Sequence, residues 1–256
     1  DGSCYYGKTY VPDDNFENYL EVMGLGDGIA LNDSVLTGNI NTVTSLNVDN
    51  LNISDLTGIE AFTVLTYLQC QYNQLTSIDV SQNTALVHLV CYNNQLTILN
   101  LSQNTALTHL FCQYNQLTSI DVSANTALVS MACGYNQQTS LDVSNNSALI
   151  YFNCSSNQLT TLNLRNHPIT SFSSGGGTGL VTNYNNQLFC IDLDNPSLAQ
   201  ILASNFGIDP WTSFDTNCVT ALGCTDSTAC NYMPNATVDD GSCLILYGCT
   251  DSLACN

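Results

Sequence analysis

A 21-residue repeat occupies the centre of this 256-residue chain and constrains its fold more than any other feature. Five copies follow one another without a gap, beginning at Leu65, Leu86, Leu107, Leu128 and Leu149. The first reads LTYLQCQYNQLTSIDVSQNTA, and the third differs from it at three positions. Because so short a unit cannot bury its own apolar face, each copy must stack on its neighbours, and the repeat predicts a solenoid.

The apolar positions of each copy follow the order L-x-x-L-x-C-x-x-N-x-L-x-x-L-x-V. This is the leucine-rich-repeat pattern, with cysteine in the third apolar position. A 22-residue variant begins at Val43, and residues 180–193 form a partial unit after the repeats. We predict a mainly β leucine-rich-repeat solenoid with parallel strands, a short N-terminal capping helix and a small disulfide-rich module after the solenoid. Each unit should form a strand at L-x-C and a second extended stretch at L-T-x-I-D-V.

A short helix is expected just before the array. Pro12 suits its first turn and Gly24 its end. Phe16, Leu20 and Met23 would form one apolar stripe that covers the first coil. We therefore divide the chain into six parts. They are the tail of a cysteine-rich module (1–8), an N-terminal cap with this helix (9–42), the solenoid (43–193), a C-terminal cap (194–220), a cysteine-rich acidic module (221–247) and the first half of a second module (248–256). The C-terminal cap should contain a short helix near residues 197–204.

The charge balance excludes several classes of function. Two basic residues stand against 21 acidic ones, which gives a formal net charge of −19. Nucleic acids and anionic lipid surfaces require clustered cations, so we expect neither as a partner. No apolar run is long enough to span a membrane. The charge favours solubility and an affinity for divalent cations.

The 13 cysteines fall into two groups. Five of them recur every 21 residues in the repeat, where we expect buried free thiols because adjacent parallel strands do not offer disulfide geometry. The other eight lie outside this ladder and indicate an oxidising, extracellular setting. Cys190 and Cys218 are expected to join the C-terminal cap to the last coil. The ladder cysteines are Cys70, Cys91, Cys112, Cys133 and Cys154.

Two columns of asparagine are expected to hold the coils together. Their amides can satisfy backbone groups of their own coil and of the next one, so we interpret both columns as structural. The first column, in the turn after the strand, is Asn73, Asn94, Asn115, Asn136 and Asn157, and the second, at the opposite corner, is Asn83, Asn104, Asn125 and Asn146.

The side chains that point outward from the first strand define the available surface. They carry no charge and are rich in Tyr, Phe, His and Gln. This surface could stack on sugar rings or bind a partner protein, or it could be a tolerated surface without a ligand. The pair His88–His109 is an alternative metal site, although no acid or cysteine adjoins it in the sequence. The candidate ligand-face residues are Tyr67, His88, His109, Tyr151, Phe111, Tyr72, Tyr114 and Tyr135.

The second extended stretch carries an outward column of acids and amides. Aligned carboxylates repel one another, and the asparagines between them relieve this repulsion. We therefore favour a solvated face over a row of Ca²⁺ sites. The column consists of Asp79, Asn100, Asp121, Asp142 and Asn163.

The repeats and the segments TYVPDDNFENYL, LFCIDLDNPSLAQ and FDTNC together resemble secreted, surface-associated leucine-rich-repeat proteins of Bacteroidota, over about residues 9–218. That family is distantly similar to internalins, which implies binding or adhesion and no catalysis. Residues 223–243, GCTDSTACNYMPNATVDDGSC, resemble short acidic cysteine-rich modules of such exported proteins. Three Asp-Ser tripeptides resemble the O-glycosylation motif of these bacteria, which makes Ser34, Ser227 and Ser252 candidate glycosylation sites.

Within this module we expect Cys224 and Cys243 to form a disulfide. The loop that it closes contains oxygen ligands of the kind that Ca²⁺ prefers. The spacing does not fit an EF-hand, so a knot held by disulfides alone is the alternative. Cys230 could pair with Cys255 in the following half-module. The candidate Ca²⁺ ligands are Asp226, Asn231, Asp239 and Asp240.

The leading interpretation is an extracellular, non-catalytic binding or adhesion module of a bacterial surface protein, with a protein or carbohydrate ligand. The alternative is a structural protomer of an extracellular fibre that assembles head to tail, since the sequence begins and ends within the same kind of cysteine-rich element. No nucleophile–His–acid set or phosphate-binding loop stands out from the repeats, so we do not expect an enzyme.

Overall fold

Short strands and short helices make up the regular structure of the residues that are described. The computed structural model describes residues 7–167, 179–196, 207–216, 218, 222–230, 232, 238–239 and 241–244. The helices are α1 (Asp14–Val22) and α2 (Thr37–Ile40), and a 3₁₀ helix spans Ile59–Ala61. The strands are β1 (Lys8–Tyr10), β2 (Ser34–Leu36), β3 (Ser45–Asn47), β4 (Tyr67–Gln69), β5 (His88–Val90), β6 (His109–Phe111), β7 (Ser130–Ala132), β8 (Ser140–Asp142), β9 (Tyr151–Asn153), β10 (Thr161–Asn163), β11 (Leu180–Val181), β12 (Cys190–Asp192), β13 (Ser213–Asp215), β14 (Leu222–Gly223) and β15 (Val238–Asp239).

A seven-stranded parallel sheet holds the coils side by side. It takes one strand from each coil, in the order β3-β4-β5-β6-β7-β9-β11. The register advances by one repeat per strand, so that Tyr67 pairs with His88, which pairs with His109. Each position of the repeat therefore forms a column across the sheet. The predicted leucine-rich-repeat solenoid is confirmed.

The second extended stretch forms strands only in the C-terminal half of the solenoid. There β8, β10, β12 and β13 make a four-stranded parallel sheet, with β8 at one edge. The matching stretches of the first three 21-residue units, such as residues 119–121, are not strands. In those units the coils are held together by the first sheet and by single hydrogen bonds such as Gln116 N to Leu96 O at 2.9 Å.

The core consists of the apolar columns of the repeat. The leucines of the pattern and the five ladder cysteines are buried, and all five of these cysteines are free thiols. The expectation that the thiol column is buried and not oxidised is confirmed. The interior is therefore one continuous apolar cluster that runs from the N-terminal cap to Leu193.

The N-terminal cap contains the expected helix. Asp13 caps α1 by accepting hydrogen bonds from Asn15 N and Phe16 N, both at 3.0 Å, and it also accepts one from Ser54 N at 2.8 Å, which ties the cap to the first coil. Phe16 and Leu20 are buried as predicted. Met23 is exposed, so its predicted place on the apolar stripe is wrong, because α1 ends at Val22 and Met23 is already the C-cap residue.

Both asparagine columns bind the backbone of neighbouring coils. Asn115 Oδ1 accepts from Leu96 N at 2.9 Å, and its Nδ2 donates to Cys91 O and Cys112 O at 3.1 Å. The coil reached is the preceding one, not the next one as expected, because Leu96 N and Cys91 O face the coil that follows them. In the second column, Asn104 Nδ2 donates to two carbonyl groups of the preceding coil at 2.9 and 3.0 Å.

Two disulfides lie at the C-terminal end of the described chain. Cys190 is joined to Cys218 across 28 residues, and Cys224 to Cys243 across 19 residues, which are the pairs named from the sequence. Cys230 is also disulfide-bonded, and Cys255 lies outside the described residues, as does the expected helix near 197–204. None of the helices in the described part of the chain combines the length and hydropathy that crossing a membrane requires.

Candidate functional site

The outward side chains of the seven-stranded sheet form an uncharged aromatic surface. The Tyr67 and His88 rings lie 5.1 Å apart between centroids, and the His88 and His109 rings lie 4.2 Å apart and nearly parallel. Phe111, on the same strand as His109, lies 6.3 Å from it. We call these four residues the aromatic face. Tyr151 is separated from His109 by Ser130 of β7, so the sheet does not bring it into this contact set.

The geometry of the two histidines does not favour a metal site. Their planes are inclined by only 15°, so the two rings lie face to face and their nitrogens do not converge on one point. His109 Nδ1 is within 2.8 Å of Thr108 Oγ1. Burial, and then the charge of His109, lower the pKa of His88, so the His88 ring is neutral at pH 7.

The third predicted column does not lie on the strand. Tyr72, Tyr114 and Tyr135 lie in the turn after it, with φ of 55°, 56° and 53°, in the left-handed region that L side chains seldom adopt. With Tyr184 they form what we call the tyrosine column, whose members are 52%, 46%, 47% and 65% exposed in chain order. The full set of positions in this turn is Asn50, Tyr72, Asn93, Tyr114, Tyr135, Ser156 and Tyr184, with φ between 52° and 62°.

Sequence analysis missed Tyr184 because the interruption after the fifth repeat breaks the 21-residue spacing. The backbone hydrogen bonds place Tyr184 in the column. Tyr135 N donates to Ser155 O, the residue before Ser156 in the next coil, and in the same way Ser156 N donates to Asn183 O, the residue before Tyr184. Tyr92 was not predicted either, and its ring packs edge-on against that of Tyr72, with the ring centroids 5.2 Å apart. The Asn-rich segment that contains Tyr184, VTNYNNQL, resembles the repeat and was the available signal.

The two central rings of the tyrosine column stack on each other. Tyr114 and Tyr135 lie 4.2 Å apart between centroids, with an angle of 14° between their planes. Partial desolvation and the hydrogen bond with Tyr135 raise the pKa of Tyr114. The Tyr114 phenol is therefore neutral at physiological pH and adds no charge to the column.

Known proteins share this repeat architecture. No family model matches the chain. Internalin J from Listeria monocytogenes serotype 4b (strain F2365) is 42% identical over 77 residues, which are 30% of this chain and 8% of that protein. A solved structure of the functional domain of InlJ from Listeria monocytogenes, which includes a cysteine ladder, is 30% identical to this chain and has a TM-score of 0.58. The match covers 86% of this chain and 54% of the chain in that structure. In its repeat and its fold this chain is similar to these internalins.

A second solved structure agrees in fold. The crystal structure of the internalin InlF from Listeria monocytogenes str. 4b F2365 is 21% identical to this chain and has a TM-score of 0.55. The match covers 76% of this chain and 55% of the InlF chain. This chain spans about half the length of the two solved internalin structures and less than a tenth of the length of internalin J.

The outward acid and amide column of the solenoid closes local turns. Asp121 Oδ1 accepts from Ser123 N at 2.9 Å, and the same contact recurs at Asp79 and Asp142, each with the residue two positions later. Hydrogen bonds from Ser123 lower the pKa of Asp121. A groove of about 560 Å³ runs along this side of the solenoid. Its lining includes Ser119, Ser140, Thr161, Asp121, Asp142 and Asn163.

Two of the four proposed Ca²⁺ ligands belong to the described residues, and Asn231 and Asp240 do not. Asp226 Oδ1 accepts from Thr228 N at 2.8 Å and from Thr228 Oγ1 at 2.7 Å. Asp239 Oδ1 accepts from Gly241 N at 2.9 Å. Both carboxylates thus stabilise turns of the disulfide-closed loop, and the Ca²⁺ site stays a prediction.

The described glycosylation candidates differ in accessibility. Ser34 lies half-buried on β2, and its hydroxyl donates to Asn32 Oδ1 at 3.0 Å. Ser227 is exposed in the turn after Asp226, and Ser252 lies outside the described residues. Ser227 therefore offers the more open acceptor of the two.

A carboxylate cluster that sequence analysis did not single out lies in the N-terminal cap. Asp14, Glu17 and Asp33 place ligand atoms within 4.8 Å of one another. Glu17 is fully buried, and its two oxygens accept hydrogen bonds from Asn32 N at 2.9 Å and Asp33 N at 3.1 Å. These bonds fasten the loop to α1, which gives Glu17 a structural role.

Proposed function

We propose that this chain is an extracellular, non-catalytic binding module of a bacterial surface protein, which holds a protein or carbohydrate ligand on its outward strand face. The observation that carries the proposal is the aromatic face, a run of four rings on a parallel sheet whose successive centroids lie between 4.2 and 6.3 Å apart. Internalin-like leucine-rich-repeat domains generally mediate protein interaction and adhesion. The similarity to internalin J and to its solved domain supports the same role for this chain.

The charge distribution supports this assignment. The chain carries a formal net charge of −19, yet the aromatic face bears none of it. Both basic residues are paired with acids, Lys8 with Asp27 at 2.7 Å and Arg165 with Asp192 at 3.0 Å. A neutral patch within an acidic surface can be desolvated at less cost than its surroundings, and aromatic side chains are enriched at binding hot spots.

Rigidity of the face also favours binding. The asparagine columns bond each coil to the preceding one, so the face is ordered before a ligand arrives. Preorganisation reduces the entropy lost on association and leaves more of the contact free energy as affinity.

The proposal includes an extracellular location, O-glycosylation and Ca²⁺ binding. The disulfides Cys190–Cys218 and Cys224–Cys243 and the similarity to internalins support an extracellular, surface-associated protein. The resemblance to Bacteroidota proteins motivates O-glycosylation at Ser227. The acidic turns of the C-terminal module motivate Ca²⁺ binding there.

The experiment is a protein and glycan array, with and without Ca²⁺, probed with the wild type and two variants. Phe111→Asp places a charge in the aromatic face and should weaken every ligand found there by more than about tenfold. Ile98→Asp adds the same charge at an exposed site on the second extended stretch and should leave binding unchanged. Equal binding by the two variants, or the absence of any ligand, would contradict the proposal.

A fibre protomer is the second candidate. The sequence DGSC occurs at residues 1–4 and again at 240–243, and GCTDS occurs at 223–227 and at 248–252. A disulfide between Cys4 of one chain and Cys249 of another would join such chains head to tail. Non-reducing electrophoresis of the native protein should then show a ladder of covalent oligomers. A single monomer band with two reactive thiols at the ends would exclude covalent assembly.

A further inference from the structure

Thr108 fixes the position of the ring hydrogen in neutral His109. Thr108 Oγ1 donates to Val87 O at 3.2 Å. Thr66, at the equivalent position of the first unit, makes the same bond to Thr44 O at 2.9 Å. A hydroxyl group has only one hydrogen to donate, and that of Thr108 is used on the carbonyl group. The 2.8 Å contact between Thr108 Oγ1 and His109 Nδ1 therefore requires the imidazole Nδ1–H to be the donor.

The other ring nitrogen of His109 is then a hydrogen-bond acceptor. In this tautomer Nε2 carries a lone pair and no hydrogen. His109 is half-buried, and its Nε2 makes no hydrogen bond with any residue that the structure describes. The adjacent strands place His88 and Ser130 beside the ring, so they bring neither a carboxylate nor an ammonium group to it. The aromatic face thus contains a neutral acceptor whose partner is still to be supplied.

The stacking of the aromatic face disfavours a sugar as that partner. His88 lies between Tyr67 and His109 in the sheet, with ring centroids 5.1 and 4.2 Å away, so both faces of the His88 ring are covered. A stacked sugar requires an open ring face, whereas these three rings turn mainly their edges outward. Ring edges make favourable T-shaped contacts with the face of another aromatic ring. The arrangement therefore favours an aromatic side chain.

An apolar strip lies directly beside the acceptor. Val90, Phe111 and Ala132 pair across β5, β6 and β7, two residues after His88, His109 and Ser130 on the same strands. Val90 and Ala132 are almost buried, and Phe111 is half-buried with its ring centroid 6.3 Å from that of His109. A ligand ring that packs on Phe111 is within reach of the His109 ring. Tryptophan and tyrosine combine such a ring with one polar hydrogen.

We propose that His109 Nε2 accepts a hydrogen bond from a tryptophan or tyrosine side chain of a partner protein, whose ring packs against Phe111. This inference rests on the proposed binding function, and it names the partner as a protein and His109 as the residue that selects it. Thr108 is a positioning residue, because it acts on the ligand only through the tautomer of His109. A phenylalanine of the partner would leave Nε2 without a donor and should bind more weakly.

The test is an array of random 12-residue peptides, probed with the full chain at pH 8. The bound peptides should be enriched in tryptophan or tyrosine, and replacing that residue by phenylalanine should weaken binding about tenfold. His109→Phe, which keeps a ring but removes the acceptor, should weaken the same peptides about tenfold, and Thr108→Val should also weaken them. Thr66→Val is the matched control, because it removes the same bond to a carbonyl group without touching a histidine, and it should bind as the wild type.

The tautomer provides a readout that needs no ligand. Nitrogen NMR of the histidine rings distinguishes a nitrogen that carries hydrogen from one that does not. In the wild type, His109 should carry its hydrogen on Nδ1. Thr108→Val removes the acceptor of that hydrogen and should shift it towards Nε2, whereas Thr66→Val should leave it in place. A wild-type ring with its hydrogen on Nε2 would overturn the assignment.

The remaining outcomes separate this inference from the binding function. The proposal is wrong if no peptide binds, if the bound peptides lack both tryptophan and tyrosine, if they tolerate phenylalanine, or if they bind equally to His109→Phe. Preference for a neutral hexasaccharide over every peptide would also overturn it. A ligand lost in Phe111→Asp but kept in His109→Phe would uphold the binding function and overturn only the role of His109.

Discussion

Raising the pH from 8 to 10 should strongly destabilise the solenoid through its buried thiols. Burial raises the pKa of Cys70 and of Cys112 from the ordinary value of 9.0 to about 12, and it also raises the pKa of the other three ladder thiols. In the unfolded chain these thiols ionise near pH 9. The stabilisation they provide is therefore complete below pH 9 and is lost as the pH rises towards 12.

The expected loss is large because five groups act together. Once the pH exceeds 9, each unionised buried thiol costs about 1.4 kcal/mol of stability for every further pH unit. At pH 10 the five thiols together should remove about 7 kcal/mol from the free energy of unfolding. A typical domain has a total stability of about 5–15 kcal/mol, so the solenoid should be close to unfolding at that pH.

The assay is urea denaturation at pH 8, 9 and 10, followed by circular dichroism soon after the pH change. Cys112→Ala should remove about one fifth of the pH-dependent loss, and replacement of all five ladder cysteines by alanine should remove nearly all of it, leaving the contribution of the tyrosines. A decrease of less than about 2 kcal/mol between pH 8 and pH 10 in the wild type would refute the argument, since it would mean that the thiols ionise within the folded solenoid.

Three further predictions concern stability and are measured by urea denaturation at pH 7. Gln138 is buried beside Cys133, and neither atom of its amide makes a hydrogen bond of normal geometry, so Gln138→Leu should stabilise the chain by about 1–3 kcal/mol; a loss of stability would reveal a polar role. Asn115→Ala removes the bonds to two coils and should cost about 2–4 kcal/mol, whereas a cost below about 1 kcal/mol would make the column dispensable. Replacing Cys190 and Cys218 by alanine opens a 28-residue loop and should cost about 3–4 kcal/mol, and no change would show that the cap holds without the bond.

The sequence predicted the elements that depend on local pattern. The 21-residue period implied a coil stack in which equal positions align, and the strand register follows it. The same alternation placed the five ladder cysteines inside, and Gly24 marked the end of α1. These features follow from side-chain polarity repeated along the chain, which one sequence displays in full.

Other features depend on contacts between coils. The direction of the Asn115 hydrogen bonds is set by which backbone groups of the adjacent coil remain available, and the sequence does not contain that information. The exposure of Met23 depends on α1 ending one residue earlier than the apolar spacing suggested. The second sheet begins only at β8, although the second extended stretch recurs in all five units, so the sequence pattern does not indicate where this pairing starts.

The tyrosine column shows most clearly which features follow from the sequence and which follow from the tertiary structure. The sequence determined that Tyr72, Tyr114 and Tyr135 recur at one position of an uncharged repeat, because identity and spacing are linear properties. Only the tertiary structure decided that this position is left-handed, that two of its rings stack at 4.2 Å, and that Tyr184 joins them across the interrupted repeat. Backbone dihedral angles and ring contacts arise when coils pack against one another, so no pattern within a single coil specifies them.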